Sequence, residues 1–399
     1  MTLALAAALA VVAVPACDSS SAGDSDAVKV GVLLSFTGPL AADGINSERA
    51  LLMAFEAANA AGGVSGRPVR WLSRDTRSDP GQVLGRAQEL LDAGVALVIG
   101  PDTDDLVIAA RAALGDRTII LPSFATASDV LYRSPSWFTI GAPVTRMACE
   151  LVAQLAADGR KNPLVILNPT GYSASIAWYL TNRYGLPRDV LSANRVPAAE
   201  DLFPILTAKA DAYVLAATPT SAVSLVYALL ANNALPDPTR WYLSPSLHSP
   251  VFLDLIPKGG LYGARGVAQG IEGGGADFVA AFARRWKDTP LDDAYPFYDA
   301  GALAVLALQR ALAREGAIPT GTGLSPHIIA VTRPGGTPVH WNELDRGLER
   351  LRQGEEVTYV GLSGRLEFDS LGQTPGAVAA WWTIGPDGFA GRDGKSECP

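Results

Sequence analysis

Two kinds of apolar patterning alternate along this chain. Residues 28–34, 95–99, 118–121 and 163–167 are apolar at nearly every position, whereas 45–61 and 79–92 are apolar only every third or fourth residue. In the stretch 45–61, Leu51, Leu52, Phe55 and Ala58 fall on one helical face, and Gly62-Gly63 closes it. A short run with no polar face reads as a strand buried on both sides, and the longer period reads as an amphipathic helix. The pattern therefore predicts strands at 28–34, 69–72, 95–99 and 118–121, with helices at 45–61, 79–92 and 103–114 between them. Strands joined by helices form a parallel sheet covered on each face. Ile140-Gly141-Ala142-Pro143 interrupts, and the same grammar restarts with helices at 146–157, 173–184 and 221–231 and strands at 163–167, 212–216, 241–243 and 264–268. Past Gly273-Gly274-Gly275, helices are expected over 277–286, 298–314 and 341–352, followed by a β-rich tail at 364–368 and 377–383. The fold class is α/β, built from two units of similar grammar.

The first residues follow another logic. Positions 2–16 carry no charge and are dominated by Ala, Leu and Val. That length falls short of the roughly 20 residues of a membrane-spanning helix and suits the apolar core of an export signal. Val14-Pro15-Ala16-Cys17 and the polar run from Asp18 resemble a bacterial lipoprotein signal, with Cys17 as the lipid-attachment residue. Residues 1–17 would then be the signal and 18–27 a flexible tether; an ordinary cleaved signal with an incidental Cys17 is the other reading.

Composition narrows the function. With 48% hydrophobic and 18% charged residues among 399, the chain has ample core material for two or three units, and disorder is ruled out for its bulk. Forty acidic against 32 basic side chains give a net charge of -8, which argues against a nucleic-acid surface. Three His, three Cys and no C-x-x-C pair leave no evident metal site, and no cofactor is expected. Gly171-Tyr172-Ser173-Ala174-Ser175 lacks the last glycine of a nucleophile elbow, so no enzyme is expected either. Cys149 and Cys398 either pair in an oxidising exterior or stay apart, with Cys149 a buried thiol.

Four stretches in order carry a resemblance. They are Val30-Gly31-Val32-Leu33-Leu34-Ser35-Phe36-Thr37-Gly38-Pro39 running on to Asn59-Ala60-Ala61-Gly62-Gly63; Arg74-Asp75-Thr76-Arg77-Ser78-Asp79-Pro80; Val98-Ile99-Gly100-Pro101 with Leu121-Pro122-Ser123-Phe124-Ala125-Thr126; and Ser363-Gly364-Arg365-Leu366-Glu367-Phe368-Asp369. The set resembles the extracytoplasmic solute-binding proteins of the branched-chain amino acid (Leu/Ile/Val-binding) family over most of residues 28–390. The resemblance implies a type I periplasmic-binding fold: two doubly wound parallel-sheet lobes joined by a three-crossover hinge. The crossovers would fall near 140–143, 266–270 and 358–364, giving one lobe from 28–142 plus 270–357 and another from 143–269 plus 358–392.

It also implies which residues face the cleft. Thr103 and Asp104 follow the strand ending at Ile99; Thr103 keeps the family's hydroxyl chemistry, while Asp104 and Asp105 either stabilise a helix start or meet a ligand ammonium. Ser123, Phe124, Ala125 and Thr126 would present amides and hydroxyls to a ligand carboxylate, although Thr126 also suits a helix N-cap. Tyr172, Thr218 and Ser246 would line the opposite wall, and His248 either joins them or sits at the surface. The loop 35–44 would contribute backbone and Phe36 packing. The acidic residue that amino-acid-binding members place near 243–248 is missing, so the usual partner of an α-ammonium is absent there. In Tyr298-Asp299, packing and capping are the expected roles.

The expected function is binding of a small amino acid or related polar metabolite between the lobes and delivery to an ABC importer. The partners would be permease and ATPase subunits, with the membrane reached only through the lipid anchor, no nucleic acid, and the protein a monomer at the cell surface or in the periplasm. A ligand-sensing receptor subunit and a secreted hydrolase are the alternatives.

Overall fold

The computed structural model describes residues 26–122, 134–168, 171–190, 199–272, 274–392 and 398. Strands β1 (Val28–Leu34), β2 (Val69–Asp75), β3 (Val98–Ile99), β4 (Ile119–Pro122) and β5 (Trp137–Ile140) form a parallel sheet in the order β2-β1-β3-β4-β5. The crossover helices are α1 (Ala41–Ala60), α2 (Pro80–Asp92) and α3 (Asp104–Leu114). Alternation inside the apolar runs explains their uniform chemistry. Val30, Val32, Leu34, Ile99 and Ile120 enter the core shared with α1, whereas Leu33, Val98, Ile119 and Leu121 enter the core beneath α2 and α3.

The second sheet repeats the design. It runs through α4 (Val144–Ala157), β6 (Pro163–Leu167), α5 (Gly171–Trp178), β7 (Arg188–Val190), α6 (Ala199–Thr207), β8 (Ala212–Ala216), α7 (Pro219–Ala231), β9 (Trp241–Leu243), α8 (Pro250–Leu255) and β10 (Arg265–Gln269). Its core on one face takes Ile166, Leu215, Trp241 and Leu243, and its core on the other takes Val165, Val214, Ala216 and Tyr242. The chain then returns to the first core with α9 (Gly275–Trp286), α10 (Ala294–Glu315), α11 (Ser325–Ala330), β11 (Thr337–His340), α12 (Leu344–Arg352), β12 (Val357–Gly361) and β13 (Gly364–Arg365). Finally β14 (Ala379–Gly385) and β15 (Gly388–Arg392) add antiparallel to β10, giving the order β15-β14-β10-β9-β8-β6-β7. Helix α10 is apolar on all sides because it is buried on all sides, against α1, α12 and the sheet.

Three crossings link the two sheets, at residues 141–143, 270–274 and 366–378. They lie side by side. The Ala142 amide donates to Gln269 Oε1 at 2.7 Å, the Gly141 amide to Thr374 Oγ1 at 3.2 Å, and the Gly270 amide to the Val378 carbonyl at 2.8 Å. The third crossing comes later than the 358–364 expected from sequence, because Tyr359, Leu362 and Leu366 are buried in the first core. Asp299 holds this stretch: its carboxylate accepts from the Leu362 and Ser363 amides at 2.9 and 2.8 Å and from the Tyr359 hydroxyl at 2.7 Å. Burial pushes the Asp299 carboxyl above its ordinary range, against the pull of these hydrogen bonds.

Several elements depart from the pattern-based reading. The Val95–Ile99 run contributes only two ladder residues, β5, β7, α6, α8, α11, β11, β12 and β15 were not anticipated, and α10 starts at Ala294 rather than 298. Strand β7 is a polar edge, and Pro296 is tolerated in the first turn of α10. Cys149 and Cys398 form a disulfide that pins the distal chain to α4 across a separation of 249 residues. In the chain-entropy picture a loop of that size stabilises the fold by about 5 kcal/mol.

Candidate functional site

Both sheets reverse strand order in the same way, between β1 and β3 in the first and between β6 and β8 in the second. In open parallel sheets, ligands sit beyond the carboxyl ends of strands at this switch point. A cavity of about 330 Å³ lies there, lined from both sheets at once.

Two glycines shape the first wall. A Cβ on Gly44 would lie 2.0 Å from the Ser35 carbonyl oxygen, so only glycine lets the first turn of α1 close on the loop after β1. That closure brings Asp43 to the cavity. Gly100, just after β3, has φ +98°, and a Cβ there would lie 2.1 Å from the Leu33 carbonyl. The turn it permits delivers Asp102, whose carboxylate accepts from the Ser35 amide at 3.1 Å and the Ser35 hydroxyl at 3.2 Å, tying the two switch-point loops together. Asp102 is 8% exposed. Burial pushes its carboxyl up to about 6; the Ser35 hydrogen bonds pull the other way, and Asp43 adds repulsion. Asp43 is itself raised, by burial first and then by Asp292.

Thr103 is the N-cap of α3, with Asp104 and Asp105 in the first turn, where the helix dipole favours negative charge. All three line the cavity. The remaining part of this wall, Leu291, Asp292 and Asp293, comes from the segment before α10, almost 200 residues further along the chain.

Among the described residues, the second wall is lined by serines, threonine and prolines with one imidazole. Thr218 caps α7 by accepting from the Ser221 amide at 3.4 Å, and Ser246 donates to the Ala217 carbonyl at 2.9 Å. Ser173, on α5, is 3% exposed. His248 reaches across, with Nδ1 2.5 Å from Asp292 Oδ2, while its ring leans on Trp382 and Phe389.

Of the residues singled out from sequence, Thr103, Asp104, Thr218 and Ser246 come together around the cavity, with Asp105 and His248. Ser123, Phe124, Ala125, Thr126 and Cys17 lie outside the described residues; Tyr172 falls on α5, but its side chain is outside them as well. Phe36 packs on the first core instead of lining the cavity, and Asp43 supplies the contact expected of that loop. Asp43, Asp102, Ser173 and residues 291–293 were missed. Asp43 and Asp102 stood in the right loops, but nothing local marks 291–293. Among the described residues, no group of three or more His, Cys, Asp or Glu is placed to hold a metal ion. Among them, too, no helix is long and apolar enough to cross a membrane.

Residues 27–332 match the family model described as periplasmic binding protein. The chain belongs to the periplasmic binding protein family. It is 25% identical over 370 residues to the chemotactic signal transduction system substrate-binding protein BasB of Halobacterium salinarum, covering 86% of this chain and 83% of that one. The fold is that of the isoleucine complex of the branched-chain amino acid transporter substrate-binding protein LivJ from Streptococcus pneumoniae, with TM-score 0.72, 16% identity and coverage of 92% and 98%. A benzoate-bound solute-binding protein of an ABC transporter from R. palustris superposes with TM-score 0.67 at 15% identity, covering 92% and 95%. The two sheets with their three crossings are thus the type I periplasmic-binding architecture.

Proposed function

We propose that this protein is an exported solute receptor that holds a small molecule between its two lobes and hands it to an ABC importer. One observation carries the reading: a single cavity sits at the switch points of both sheets, so one ligand would touch both lobes. Such a ligand favours the closed arrangement by its greater affinity for it. The three adjacent crossings, tied by Gln269, Thr374 and Val378, form the hinge. The first lobe takes 28–140 with 275–366, the second 144–269 with 379–392, and Cys17 anchors the receptor through lipid, with 18–27 as the leash. The reading also assigns ligand contacts to the amides and hydroxyls of residues 123–126, which lie outside the described residues.

A thermal-shift screen over amino acids, amines, aromatic acids and small amides tests this. A true ligand at 100 times its dissociation constant adds about 2.7 kcal/mol to stability. A screen with no shift, repeated on protein stripped of any carried-over solute, counts against the receptor reading. The name of BasB favours a second reading, delivery of the ligand-bound form to a signalling partner; transport loss without loss of taxis on deleting the protein separates the two. Hydrolysis is the least supported role, since the matched family and the relatives named above are substrate-binding proteins.

A further inference from the structure

Charge is distributed around the cavity in an unusual way for a site that would receive a carboxylate. Asp43, Asp102, Asp104, Asp105, Asp292 and Asp293 all line it, and His248 is the only basic side chain among the described lining residues. That imidazole already faces Asp292. The acids are spread around the space rather than converging, and no metal-holding group forms among the described residues. Between them the wall is apolar, with Leu40, Pro80 and Leu106 on one side and Pro219 and Pro250 on the other. The second wall offers one more polar group: Ser173 is 3% exposed and borders the cavity, and no hydrogen bond engages its hydroxyl within the described structure. A hydroxyl on the cavity wall with no protein partner is open to a ligand atom.

We propose that the cleft takes a small organic cation, its ammonium or guanidinium group facing the carboxylates of the first lobe, its apolar body against the proline and leucine walls, and a polar edge meeting Ser173. The inference rests on the receptor reading above and specifies its ligand. Burial is the main cause of the upward shifts of Asp43 and Asp102, with smaller repulsion from Asp292 on the first and from Asp43 on the second, and it is that repulsion which a cation relieves. The helix dipoles of α1 and α3 offset part of this repulsion but present no positive side chain to an anion.

The test uses the full chain in titration calorimetry with L-arginine, agmatine and choline as cations, L-leucine as the zwitterionic comparison of zero net charge and benzoate as the anion. The expected result is that at least one cation binds roughly tenfold or more tightly than L-leucine, that benzoate gives no heat, and that cation affinity falls with added salt. Asp43→Asn should cost that cation about tenfold. Because Asp43 is packed into a tight turn, Asp105→Asn, on the exposed side of the first turn of α3, serves as the second variant and should weaken the cation severalfold. Tighter binding of L-leucine or benzoate than of every cation overturns the charge inference and leaves the receptor reading standing, as does cation affinity untouched by both variants. Silence of all three cations overturns the inference too; silence of a wider neutral and acidic library then sinks the receptor reading with it.

Discussion

The two walls of the cleft are built from the same topology and carry opposite chemistry. Among the described lining residues, six aspartates and no basic side chain stand beyond the first sheet, while Ser173, Thr218, Ser246 and the imidazole of His248 stand beyond the second. Equivalent strand ends therefore do not imply equivalent sites. The first wall is rigidly prepared: Asp102 bridges two loops through Ser35, and Asp75 ties the loop after β1 to that after β2 by accepting from the Phe36 and Thr37 amides at 2.9 and 3.2 Å. His248 of the second wall meets Asp292 of the first across the cavity.

Three experiments break or sharpen that contrast. The largest effect is expected from Gly100→Ala, which puts a Cβ against the Leu33 carbonyl at a φ of +98°. It should cost about 3 kcal/mol or more in urea unfolding, since backbone strain and a main-chain clash combine. A cost below ~1 kcal/mol would show that the first wall is less constrained than its geometry implies. Next comes pH. Asp102 titrates near 6 in the fold against 3.8 in an unfolded chain. Its raised value means the neutral form is favoured by folding: the contribution is present below 3.8 and is lost as pH rises through 6. Measured against Asp102→Asn, the wild type should therefore lose about 2–3 kcal/mol of relative stability between pH 4 and 7. A gap that stays constant across that range contradicts the burial argument. The smallest effect is Ser173→Ala, which removes an unengaged hydroxyl. Stability should stay within about 0.5 kcal/mol, while ligand affinity falls by about 1 kcal/mol. Equal losses in both would make Ser173 a structural residue.

Much of the framework was legible from residue pattern. Strands β6, β8 and β9 occupy the expected positions 163–167, 212–216 and 241–243, because a strand buried on both faces has to be apolar throughout. The polar edge strand β7 gave no such signal, and Pro204 inside α6 reads locally as a breaker. The third crossing was placed too early because Tyr359 and Leu362 are as apolar in one lobe's core as they would be in the other's. Within the site, Thr103, Asp104, Thr218 and Ser246 were found because each follows a strand end, the one local mark a switch-point loop leaves. Ser173 was noticed only within a failed nucleophile motif, and Asp299, expected to pack or cap, is buried inside α10 and binds the Leu362 and Ser363 amides instead of a helix end.

What local order determines here is the alternation of buried strands and covering helices, the two repeats of that alternation, and the loops where a ligand would be met. What only the folded chain decides is which distant residues share a space. Asp43, Asp102 and Asp292 meet at one mouth, His248 crosses to Asp292, and Cys149 finds Cys398. The physical reason is that periodicity records which face of an element is buried, whereas convergence depends on how three separate crossings return the chain to the same two sheets.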